Sequence, residues 1–182
     1  MLARGELVEI VGPPSSGRTS LLLTWLAAAT RSGALVALVD GDEVFDPASA
    51  EQAGVDLARL LWVRVGGRRD LALRAADLLA RCPGFALVAL DLGESAPRLD
   101  LARAFRLRLA VRRAGTTLVI LAGRRLTGAG ATLVLRTVRR RVEWTGPGPR
   151  PTRLARLLTR VDVVRIRSGA RPVGAGPWRW SA

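Results

Sequence analysis

The sequence predicts an α/β fold, a mainly parallel central sheet flanked by helices, with a basic C-terminal extension. Three observations carry that reading. Apolar runs without polar alternation recur at Leu7–Val11, Ala34–Asp40, Phe85–Asp91 and Thr116–Ala122, the pattern of strands buried on both faces. Amphipathic stretches of helical period separate them, which implies crossover connections and parallel pairing. The first run leads at once into Gly12-Pro-Pro-Ser-Ser-Gly-Arg-Thr19, a phosphate-loop spacing between strand and helix.

The elements follow in order. Leu7–Val11 is the first strand, and Gly17 to about Thr30 reads as a helix stopped by Ser32-Gly33. Ala34–Asp40 is a second strand running into the acidic loop Asp40-Gly-Asp-Glu43. Asp46-Pro47 is a helix-start signal, so a short helix is expected over Ala48–Leu60. Leu61–Val65 reads as a strand, Arg69–Arg81 as a helix and Phe85–Asp91 as a strand. A long amphipathic helix over Leu99–Arg113 and a fifth strand, Thr116–Ala122, complete this alternation. Beyond it the rhythm changes. Ala131–Arg141 reads as a helix running into a strand, Gly146–Pro151 as a turn or linker, and Leu157–Arg167 as a strand. Gly169–Ala182, rich in Gly, Pro and Trp, is expected to be loosely ordered. The expected organisation is a core of residues 1–145 and an extension of residues 146–182 holding one helix and one strand.

With 182 residues the chain is long enough for one domain with a real core. No apolar run reaches membrane-span length, and the first strand begins too near Met1 to leave room for a signal peptide. A single cysteine, Cys82, rules out an internal disulfide, and a cytoplasmic setting is expected. Cys82 reads as a buried filler near a helix end. The absence of histidine argues against a zinc site.

The charge is unevenly spread. Residues 1–100 hold 10 Arg against 13 acids, and residues 101–182 hold 19 Arg against 2, so the formal +14 belongs to the C-terminal part. Such a distribution favours a polyanion or an acidic protein surface as partner. Arg136, Arg139, Arg140 and Arg141 form one cluster; Arg150, Arg153, Arg156 and Arg160 form another. Arg153, Arg156 and Arg160 follow helical spacing beside Leu154, Leu157 and Leu158, as in a helix with a basic face. Trp178 and Trp180 flank Arg179, where they would stack on bases, fill a protein groove or tuck onto the core. A solvated face is the alternative for the whole arginine set.

In the phosphate loop, backbone N–H groups and the helix N-terminus would converge on phosphate oxygens. The residues of the loop that would hold nucleotide are Gly12, Ser15, Ser16, Gly17, Arg18, Thr19 and Ser20. Thr19 and Asp91, which closes a later apolar strand, would hold Mg²⁺. Asp91 equally suits a loop-capping role. Arg18 stands where the motif has lysine. All 29 basic residues are arginine, so the exchange follows composition, yet a planar fork does not replace a compact ammonium freely. The expectation is retained phosphate affinity with the terminal phosphate misplaced.

Gly5–Ser20, Asp40–Pro47 and Ala53-Gly-Val-Asp56 together resemble the ATPase core of RecA, over roughly residues 5–140. The resemblance implies where that family's working residues fall. Its water-orienting glutamate falls on Asp42, with Glu43 one residue away, and either would take that role were the site active. Its adenine contact falls on Asp46, its base-stacking aromatic on Ser49 and its γ-phosphate-sensing glutamine on Arg124. The segments after Asp91 and after Arg125 are too short for the family's two DNA-binding loops. No stretch matches its N-terminal polymerisation helix or its C-terminal domain. These departures imply that hydrolysis is lost or very weak, that no catalytic residue can be assigned, and that ATP and Mg²⁺ are not required.

A RecA-like core with these losses resembles the ImuA family of accessory proteins of damage-induced mutagenesis. That resemblance implies a protein-binding platform in translesion synthesis. Its partners would be a Y-family polymerase-like protein of the ImuB type, RecA or an error-prone replicative-type polymerase, and DNA through the basic part. Three other readings stay open: a small active RecA-like DNA-dependent ATPase, a cell-division inhibitor resembling SulA, and a plain nucleic-acid binder.

Overall fold

The computed structural model describes residues 2–94, 96, 98–150, 152–167 and 176–181, the last six as backbone only. The chain runs β1 (Leu7–Val11), α1 (Arg18–Arg31), β2 (Leu35–Asp40), α2 (Pro47–Gln52), β3 (Leu60–Arg64), α3 (Arg69–Arg81), β4 (Phe85–Asp91), α4 (Leu101–Ala114) and β5 (Thr117–Ala122). Three further strands follow: β6 (Leu133–Thr145), β7 (Arg153–Ile166) and β8 (Gly176–Ser181). All eight strands form one sheet in the order β3-β2-β4-β5-β1-β6-β7-β8. Pairing is parallel from β3 through β6 and antiparallel for β6–β7 and β7–β8.

The central strands are buried on both faces, as their unbroken apolar runs imply. One face of β1, carrying Leu7 and Val11, packs with Ala72, Ala76 and Ala80 of α3 and with Leu107 and Val111 of α4 in a single core. The other face, carrying Val8 and Ile10, packs on Leu22, Trp25 and Leu26 of α1. Asp100 caps α4 by accepting the Arg103 N–H at 2.7 Å, and the helix stops at Gly115 with φ +69°, a conformation that suits glycine. The layered α/β architecture is the one expected.

Several expectations need correction. The helix expected over Ala48–Leu60 is only Pro47–Gln52, because Gly54 turns the backbone left-handed at φ +88° before a 3-10 turn at Leu57–Arg59. The segment read as helix-then-strand, Ala131–Arg141, is strand throughout its paired length, with Leu133, Val134 and Leu135 docked on β1. The helical spacing of Arg153, Arg156 and Arg160 is coincidental, since all three lie in β7 opposite β6. Register shifts at Arg139/Arg141 and Glu143/Trp144 break the strict alternation that would have marked a strand. Gly176–Ser181, within the end expected to be loose, pairs with Arg156–Val161 as β8, while residues 168–175 and 182 fall outside the described part. Cys82 is exposed rather than a buried filler.

Strands β6 and β7, of 13 and 14 residues, make a ribbon roughly 40 Å long at about 3.3 Å per residue. Its inner half completes the core. Among the described residues no helix is long and apolar enough to cross a membrane.

Candidate phosphate-binding site

The phosphate loop is shaped by backbone strain and by contacts from the far end of the chain. Ser15 takes φ +55° and Gly17 φ +92°, turning the chain from β1 into α1. Gly17 caps α1 without a side-chain bond, so the first-turn N–H groups of Arg18, Thr19 and Ser20 face outward without a side-chain acceptor. The fully buried Ser16 hydroxyl bonds Thr137 of β6 at 2.7 Å, and Thr137 in turn donates to the Val11 carbonyl at 3.4 Å. Thr159 of β7 donates to the Ser16 carbonyl at 3.0 Å. A Cβ at Gly12 would strike Thr137, and one at Gly17 would strike Thr159, so both glycines are required by close approach. Ser16 therefore anchors the loop rather than pointing at a ligand; Ser15 and Thr19 are at its mouth, both exposed, with Ser20 half-buried behind them.

Arg18 does not reach freely over the loop. Its Nη2 donates to Oε1 of Glu94, in the turn that follows β4, and its side chain is 14% exposed. Its Nη1 is buried and has no partner among the described residues. Gly123, at the end of β5, leaves the room that the Glu94 carboxylate occupies, since a Cβ there would collide with Oε2. Arg124 does not reach this site; its Nη2 donates to the Ala96 carbonyl at 3.3 Å.

Asp91 sits at the end of β4 between the loop and the acidic turn. Burial pushes its carboxyl above the usual carboxylate range, and the Asp40 and Asp42 charges push the same way; the Gly93 N–H and the Arg18 guanidinium pull it back. Of the two acids at the following position, the structure brings only one to the site. Asp42 lies against Gly93, whose missing Cβ makes space for it, and is paired with Arg69 at 3.3 Å. Glu43, at φ +58°, turns away to Arg64 at 2.9 Å and the Gly66 N–H at 2.8 Å. That N–H and then Arg64 hold its carboxyl below the ordinary value.

Asp46 serves its own helix. It accepts the Ala48 and Ser49 N–H groups at 3.2 and 3.1 Å, and also the Ser49 hydroxyl, which more than any other contact lowers its carboxyl. A phosphate fits the open N–H groups at the start of α1. For a magnesium ion the chain supplies Thr19 and Asp91, and the described residues include no cluster of three ligating side chains, so phosphate and water would complete the shell.

Several residues in this architecture carry no motif. Glu94 could not be found from spacing. Thr137 and Thr159 are ordinary strand threonines until the register is known. Asp40 organises the acidic turn, accepting the Val44 and Phe45 N–H groups at 3.1 and 3.0 Å and the Trp62 indole at 3.3 Å. Glu9, fully buried in β1, accepts from the Leu126 N–H, from the Thr127 N–H at 3.2 Å and from the Thr127 hydroxyl at 2.8 Å. It ties down the short β5–β6 connection. An acid inside an apolar strand run was the visible signal for it.

The arginines of the ribbon are mostly exposed but not equivalent. Arg136 and Arg160 stand opposite Asp162 and Val138 in the register, and Arg160 grips Asp162 at 2.8 Å. Arg141 and Arg156 bracket Glu143 at 3.3 and 3.7 Å. Arg139 opposes Thr159 and so lies level with the strand segment that holds the phosphate loop, while Arg140 is left unpaired in the register. Arg153 and Arg150 lie toward the tip, with Trp144 exposed beside them in the ribbon. Trp178 and Trp180 hold register positions opposite Thr159 and Leu157; their side chains lie outside the described residues.

Comparisons with known proteins agree with this architecture. The family model described as the RecA N-terminal domain matches residues 1–117. Protein RecA of Methylococcus capsulatus is 43% identical over 90 residues, covering 50% of this chain and 26% of that protein. Protein RecA of Clavibacter michiganensis subsp. michiganensis is 42% identical over 90 residues, covering 50% and 25%. The chain thus spans about a quarter of the length of the curated relatives it matches. The crystal structure of the RadB recombinase shares the fold at a TM-score of 0.65 and 20% identity, covering 99% of this chain and 88% of that one.

Proposed function

Because the chain belongs to the RecA N-terminal domain family, we propose that it keeps the family's core as a protein-binding platform without efficient nucleotide turnover. The observation that carries this reading is the Arg18–Glu94 ion pair. Phosphoryl transfer depends almost wholly on positioning and charge stabilisation of the transferred group. A loop cation already committed to an internal carboxylate supplies little of either. The process we assign is tolerance of DNA damage by translesion synthesis, as an accessory protein of the ImuA kind. Its partners are a polymerase-like protein of the ImuB type and RecA or an error-prone replicative-type polymerase. The short connections after β4 and β5, the second tied down by Glu9, support a closed platform surface.

The test is turnover of Mg-ATP with and without single-stranded DNA, alongside pull-down of a purified polymerase partner of that class. Absence of turnover with partner binding is the expected result. DNA-stimulated hydrolysis abolished in Asp91→Asn would replace the platform with a small ATPase. A second reading, direct contact with nucleic acid, is favoured by the exposed arginines of the β6–β7 ribbon.

A further inference from the structure

The Glu94 carboxylate has a consequence for what the phosphate loop can accept. Its turn is fixed from several sides. The Leu92 N–H donates to the Leu121 carbonyl at 3.1 Å, the Gly93 N–H to Asp91 Oδ1 at 3.0 Å, and the Gly123 N–H to the Gly93 carbonyl at 2.9 Å. Asp42 fills the space over Gly93, and the Glu94 carboxylate fills the space over Gly123. The turn is bound on both sides and so holds Glu94 beside Arg18, with the Glu94 side chain itself 43% exposed at the edge of the loop.

In a phosphate loop the residue at position 18 reaches past the helix-bound phosphate to the terminal ones. Here one terminal nitrogen of that residue is taken by Glu94, while the other is buried and unpartnered among the described residues. The helix N-terminus keeps its donors. Two phosphates can therefore be served, one by the backbone and one by Arg18, once a turn of its guanidinium brings the buried Nη1 to the surface. A third would meet Glu94, with Asp42 and Asp91 nearby and Arg69 already paired to Asp42.

We propose that the loop takes a diphosphate, either nucleoside diphosphate or inorganic pyrophosphate, and that Glu94 excludes a third phosphate by standing in its place. This rests on the reading of the loop as a phosphate site whose turnover is lost.

The experiment is calorimetric titration of the full chain in Mg²⁺ buffer with ADP, ATP and pyrophosphate. ADP or pyrophosphate, or both, should bind at least tenfold more tightly than ATP. Glu94→Gln and Glu94→Ala should each narrow that gap to less than threefold by tightening ATP, and Arg18→Ala should weaken diphosphate binding at least tenfold. Equal binding of ADP and pyrophosphate identifies a base-independent site; ADP alone identifies a nucleoside diphosphate. ATP bound as tightly as ADP by the unaltered chain overturns the proposal, as does a preference unchanged in both Glu94 variants. Failure to bind any of the three overturns it while leaving the platform intact, whereas ATP bound and hydrolysed removes both.

Discussion

Thr159 and Ser16 are 143 residues apart in sequence, yet the Thr159 hydroxyl donates to the Ser16 carbonyl at 3.0 Å. The phosphate loop is thereby fastened to the last third of the chain. A loop that turns on two glycines, Gly12 and Gly17, is held in place by a strand that carries no motif.

Thr159→Val keeps the shape of the side chain and removes that bond. It should cost about 1 kcal/mol, the usual net worth of one such bond, and lower the melting temperature by roughly 2–4 °C. Urea unfolding and thermal melts measure this. Exchange protection at the loop amides should fall by more than the global loss accounts for.

Glu9→Leu should be far more costly. It would leave the Leu126 and Thr127 N–H groups and the Thr127 hydroxyl without an acceptor inside the core. At roughly 1–3 kcal/mol for each orphaned group, a loss of about 3 kcal/mol or more is expected. Glu9→Gln retains an acceptor oxygen and should cost less. Denaturant titration ranks the two; a Leu variant as stable as the parent would contradict this role.

Asp91 gives a pH signature. Its native carboxyl titrates above the unfolded value of 3.8, so between the two values the folded state holds the extra proton. Its contribution is fully present below 3.8 and is lost as pH rises through the native value. Asp91→Asn should therefore melt higher than the parent at about pH 7, with the difference shrinking toward about pH 4. Melting curves across that range check the sign.

The ribbon arginines should reveal themselves through salt. If they touch nucleic-acid phosphates, replacing Arg139 and Arg140 with Glu weakens single-stranded DNA binding across sequences. The slope of log K against log salt should flatten by about 0.7 for each phosphate no longer neutralised. Fluorescence anisotropy at several salt concentrations provides the slope, and an unaltered slope would remove these two arginines from the interface.

Much of the fold was legible because buried parallel strands announce themselves. Leu7–Val11 and Phe85–Asp91 are continuous apolar runs, and α3 spans the predicted Arg69–Arg81. The ribbon was harder. Bulges in β6–β7 shift its alternation, and arginines spaced by three and four mimic a helix in one dimension. At the site, the loop spacing and Asp91 could be read directly. Which of Asp42 and Glu43 turns inward could not, because it depends on the left-handed backbone at Glu43 and on competing partners at Arg64 and Arg69. Glu94 was invisible because nothing local marks an acid that will meet a cation 76 residues earlier.

The bond between Thr159 and Ser16 also bears on how the protein comes into being. During synthesis the phosphate loop leaves the ribosome early, but Thr137 and Thr159 follow more than a hundred residues later. The segment can form its strand and helix locally, yet it lacks its final clasp until the ribbon closes. A nascent chain halted near residue 130 would expose a loop with the right sequence and an unfinished shape. Phosphate affinity, followed on stalled chains of increasing length, would then report completion of the C-terminal strands.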